Sequence, residues 1–107
     1  MRTVADLFDE HRRAAFPSRL KYDDVNGVEM VGVDVNVSGC VGTWLENGGR
    51  LDDRRWNTLA ECEQRLIRVI PALGGEDALY CRRLLAMTVL ILENPDDAHH
   101  LVHRGLC

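Results

Sequence analysis

The most ligand-like spacing in the chain lies in its C-terminal segment, DDAHHLVHRGLC. His99 and His103 stand four residues apart, as do His103 and Cys107. A helix would place such residues on adjacent turns, where a metal ion could be shared. Gly105 works against this arrangement because it ends a helix before Cys107 is reached. A terminal segment is also poorly preorganised for ligation. The simpler reading is a polar face whose histidines sit near a helix C-terminus, where the backbone dipole favours them. His99, His103 and Cys107 are thus the candidate metal ligands, while no metal or cofactor is expected.

His11 stands apart on an apolar stripe formed with Val4, Leu7, Phe8 and Ala15. A histidine at the edge of a core, held by one hydrogen-bond partner, accounts for it more simply than a general base does. Cys40, Cys62 and Cys81 each fall on the apolar stripe of a different expected helix, where cysteine behaves as a small hydrophobe. A reactive thiolate needs an electropositive, partly exposed setting instead. The four cysteines are widely spaced and form no CxxC, so free thiols are expected. The carboxylate pairs Asp23-Asp24, Asp52-Asp53 and Asp96-Asp97 coincide with turns or helix starts, where aspartate caps backbone N–H groups. The sequence contains neither GxGxxG nor GxxxxGK[ST], and Ser18 and Ser38 lie in no GxSxG elbow.

The elements that must position these residues follow from periodicity. Thr3 and Asp6 form a capping pattern ahead of a helix that runs towards Phe16-Pro17. Asn26-Gly27 lies between two extended-looking runs and predicts a β-hairpin with strands at about 19–25 and 28–33. Val31, Val33, Val35 and Val37 alternate like a strand, whereas Val37, Cys40, Val41, Trp44 and Leu45 recur like a helix. The switch is expected between Asp34 and Ser38, with Gly39 and Gly42 letting the helix lie close to the hairpin. Asp52 caps the next helix, which carries Leu59, Cys62, Leu66, Val69 and Ile70 up to Pro71. A further helix follows Gly74-Gly75, with Cys81, Leu84, Leu85, Thr88, Ile91 and Leu92 on one stripe. A short terminal helix is expected from about Asp97 to Arg104. The fold class predicted is α+β, predominantly α: an N-terminal helix, one β-hairpin, three helices and a short C-terminal helix.

At 107 residues the chain fits a single domain, 1–107, able to bury a core without metal or disulfide staples. Its 46% hydrophobic and 28% charged residues are those of a folded globule rather than a disordered chain. The longest apolar run, Ala86 to Leu92, falls far short of the ~20 residues that span a bilayer. Asp6, Asp9 and Glu10 occupy the stretch where a signal peptide would be apolar, so a cytoplasmic location is expected. The net charge is −4, and Arg12-Arg13, Arg54-Arg55 and Arg82-Arg83 each have acidic neighbours. Neither nucleic acid nor membrane is therefore expected as a partner.

DVNVSGCVGTWLENGGRLDDRR, together with TVADLFDEHRRAAFP, resembles a group of small uncharacterised bacterial proteins from GC-rich genomes. The shared pattern is GC-V-x-x-W-L-x-x-GG-x-LD, and the resemblance implies no activity. The residues themselves favour a non-enzymatic protein-binding or accessory module of the immunity or antitoxin kind. Its partner would be another protein or a second copy, met through the nearly all-apolar segment that holds Met87 and Leu90. If that helix is instead central and covered by the hairpin and the first helix, no interface is needed. The alternative is a small enzyme or ligand-binding protein with a site near His11 and the hairpin.

Overall fold

The computed structural model describes residues 2–93, and the expected terminal helix with His99, His103 and Cys107 lies outside them. Helix α1 (Val4–Arg13) opens on a full capping box. Thr3 Oγ1 accepts from the Asp6 N–H, and the Asp6 carboxylate accepts from the Thr3 N–H, both at 3.1 Å. The Thr3 backbone N–H holds the Asp6 carboxyl below the usual carboxylate range. A single helical turn, α2 (Arg19–Tyr22), buries Leu20 and leaves Tyr22 in solvent.

The expected hairpin is corrected here. Asn26 and Gly27 do form a tight turn with φ of 49° and 79°, and Val25 and Val28 exchange backbone hydrogen bonds of 3.0 and 2.9 Å. That one antiparallel bridge is all the β structure present among the described residues, so the fold is all-helical rather than α+β. The chain after the turn goes straight into α3 (Met30–Glu46). Glu29 is the reason: its carboxylate accepts from the N–H groups of Val31 at 2.7 Å and Gly32 at 2.9 Å and so starts the helix. Met30, Val33, Val37, Cys40 and Val41 then face inward. Val31 and Val35, which complete the apparent strand pattern, are left 39% and 62% exposed. The β-like alternation arises because valines occupy both faces of a helix.

Helix α4 (Asp53–Val69) is capped by Asp52, whose Oδ1 accepts from the Arg55 N–H at 2.8 Å. It buries Leu59, Cys62, Leu66 and Val69 before a 3-10 turn at Ile70–Ala72. The Asn26 side-chain amide donates to the Arg68 carbonyl at 3.2 Å, tying the tight turn to the end of α4. Helix α5 (Gly75–Glu93) packs against α1, α3 and α4 and is the central element. Its only polar residue in the apolar run, Thr88, is fully buried and donates to the Leu84 carbonyl at 2.9 Å. Gly42 meets the Phe8 ring of α1 rather than a hairpin, and Gly39 faces open space. Among the described residues no helix is long and apolar enough to cross a membrane.

Two outcomes follow from this packing. Burial raises the thiol pKa values of Cys40, Cys62 and Cys81, the last to about 11, so all three stay neutral and shielded near neutral pH. At about pH 8 a thiol reagent will label them far more slowly in native protein than in urea, and equal rates would contradict the packing. Gly27→Val will cost about 1–3 kcal/mol in urea unfolding, because a β-branched residue resists positive φ. No atom lies within 4 Å of the added Cβ, so a loss there reports the backbone alone, and an unchanged midpoint would remove the turn from the stability of the fold.

Candidate functional site

Three helices bring four polar side chains to one junction. The stripe Val4, Leu7, His11 turns His11 inward from α1, where it is 5% exposed. Asp34 follows Val33 on α3 and reaches the same seam, its side chain 21% exposed. Tyr80 and Arg83, three residues apart on α5, supply the third side. The His11 Nε2 atom lies 2.8 Å from Asp34 Oδ1. The Tyr80 hydroxyl donates to the same oxygen at 2.9 Å and lies 3.2 Å from His11 Nε2. Arg83 Nε donates to His11 Nδ1 at 3.3 Å, and its terminal nitrogen reaches Glu10 at 3.4 Å.

These contacts fix the histidine tautomer. An arginine N–H is only a donor, so Nδ1 must present its lone pair to Arg83. The ring proton is therefore on Nε2, which gives it to Asp34. Burial, followed by the Asp34 hydrogen bond, pushes the Tyr80 hydroxyl well above its ordinary pKa and keeps it a phenol donor. Ring contacts close the junction: the Tyr80 ring centre lies 4.7 Å from that of the imidazole, tilted at 49°, Phe16 meets it edge-on at 5.4 Å, and the Arg83 guanidinium lies 5.1 Å from its centre. Both imidazole nitrogens are thus engaged within the protein. A general base needs a lone pair facing substrate, and here that lone pair faces Arg83.

A groove of about 620 Å³ opens beside this hub, between α1, the Pro17 bend and the first half of α5. Leu7, Ala14, Pro17 and Leu79 give it an apolar lining, and Glu10, Glu76, Arg82 and Arg83 give it charge. Leu79 is 56% exposed although it is a large aliphatic side chain. Arg2 also borders the groove, paired with Glu10. Among the described residues, no cluster of three or more His, Cys, Asp or Glu side chains is placed to hold a metal ion.

The structure distributes the expected site residues widely. His11 becomes the centre of the hub, but beside α3 and α5 rather than beside a hairpin. Met87 is fully buried in the core and presents nothing to solvent, while Leu90 is partly buried against that core. Asp34, Tyr80, Arg83 and the groove residues were not anticipated as site residues. Asp34 has a sequence signal once α3 starts at Met30: it is the one charged residue of that helix before Glu46. No protein-family model matches the chain, and comparisons with curated proteins and with solved structures find no match.

The hydrogen-bond pattern ranks the effects of substitution. Asp34→Ala removes the shared acceptor from two buried donors and will cost about 1–3 kcal/mol. Tyr80→Phe leaves Asp34 with its His11 bond and will cost less, about 1 kcal/mol. Urea unfolding of both variants checks this order, and the reverse order would mean that Asp34 is not the common acceptor.

Proposed function

We propose that this chain is a non-enzymatic protein-binding module, an accessory protein of the immunity or antitoxin kind, that holds a partner's segment in the groove beside the hub. The observation that carries this reading is Leu79: an exposed leucine at a groove whose charged border is built by Arg2, Arg82, Arg83, Glu10 and Glu76. Burying such a side chain contributes about 1.5–3 kcal/mol, the scale of a binding hot spot. The chain as a whole is acidic, yet the groove lining carries three arginines, Arg2, Arg82 and Arg83, against two carboxylates, Glu10 and Glu76, and Glu10 is shared between Arg2 and Arg83. The segment best suited is one with an aliphatic side chain flanked by carboxylates. The engaged nitrogens of His11 support binding over acid–base catalysis. A second reading, a small acidic ligand in the same groove, draws support from its volume, which falls in the range of ligand pockets.

Capture of partners from the native host by purified protein tests the proposal when run with surface variants in parallel. Leu79→Asp and Arg82→Glu alter exposed positions at the groove and will weaken a captured complex at least about tenfold. Ile67→Asp, on an exposed position of α4 away from the groove, will leave it intact. Loss with Ile67→Asp but not with Leu79→Asp would place the contact elsewhere and overturn the assignment.

A further inference from the structure

We propose that His11 is a proton-operated latch between α1 and α5: a proton taken up at Nδ1 releases Arg83 from the hub while strengthening the hold on Asp34. The inference rests on the hub geometry alone and is independent of what the groove binds. In the neutral ring Nε2 already carries its proton, so an arriving proton has one place to go, Nδ1. That atom receives the Arg83 Nε–H at 3.3 Å. Protonation sets two N–H donors and two cations face to face, and an attractive contact becomes repulsive. At Nε2 the opposite happens, because the bond to Asp34 becomes charge-assisted.

The groups around the ring offer nothing that would cancel the change at Nδ1. Asp34 of α3 lies on the Nε2 side. From α5, Tyr80 also meets Nε2, and Arg83 is the group being displaced. Glu10 of α1 reaches Arg83 rather than the imidazole. It already holds the far end of the same guanidinium, so Arg83 stays tethered at the groove that both residues line once its Nε contact is lost. The latch frees one arginine from its interior contact at the edge of that groove and leaves the α1–α3 contact standing.

Nitrogen-15 NMR of the full chain, titrated from about pH 8 to about pH 5, tests the latch. At the upper end His11 Nδ1 is expected to resonate as a bare ring nitrogen and Nε2 as a protonated one, with the Arg83 Nε–H slow to exchange. On acidification both ring nitrogens become protonated, and the protection of the Arg83 Nε–H relative to the intrinsic exchange rate at each pH falls roughly tenfold, the factor associated with one lost hydrogen bond. His11→Gln removes this acid step, whereas Glu10→Gln retains it. The proposal is overturned if Nδ1 is the protonated nitrogen at the upper end, or if the ring keeps a bare nitrogen throughout. It is equally overturned if Arg83 protection ignores the state of His11 or its acid step vanishes in Glu10→Gln. The wild-type pattern and Glu10→Gln decide the matter even if His11→Gln fails to fold.

Discussion

Asp34 carries a carboxylate into the seam where α1, α3 and α5 meet, and the placement of those helices answers what that group requires. Taking a charged group out of water costs several kcal/mol unless donors replace the lost solvent. Here a histidine from one helix and a tyrosine from another converge on a single oxygen, and partial exposure of the side chain moderates the penalty. A hydrophobic contact would tolerate small slides between helices. A shared acceptor does not, because hydrogen bonds weaken steeply with distance and angle. The hub therefore supplies register to a core otherwise held by apolar packing.

The consequence for α5 is that one helix serves two kinds of contact. Its inner face contributes Leu84, Met87 and Ile91 to the apolar interior, while Tyr80 and Arg83, nearer its start, belong to the hub. This division explains why the apolar run from Ala86 to Leu92 contributes to the core: α1, α3 and α4 all lie against the helix. Leu79, close to the hub but outside its contacts, is the aliphatic side chain of α5 left most open to water.

Much of the helical layout was legible in the residues. Thr3 with Asp6 marked the start of α1, Asp52 marked α4, and the cysteine stripes located buried faces correctly. The hairpin was misread because its turn is real while its strands are not. Asn26-Gly27 fixes a local conformation, but the fate of the flanking residues depends on Glu29, which caps a helix from a position outside the usual Ser, Thr, Asp or Asn preference. Valine alternation then gave a period of two where the burial has a period of 3.6. The site was less legible than the fold. His11 was identifiable as a polar residue on an apolar stripe, but its partners lie 23, 69 and 72 positions further along, and no local pattern encodes such distances.

Those separations also govern the history of the chain as it is made. The tie between Asn26 and Arg68 closes within the first two thirds of the sequence, so α3 and α4 can settle against each other while α5 is still unsynthesised. His11 and Asp34 are by then complete, yet two of the groups that satisfy them, Tyr80 and Arg83, do not exist. An unfinished chain thus carries an imidazole and a carboxylate that favour hydration over burial. Closure of long loops also comes at an entropic cost that near neighbours avoid. The hub distinguishes a chain that has reached Arg83 from a shorter one: until residue 83 has emerged, α1 has no complete place to dock.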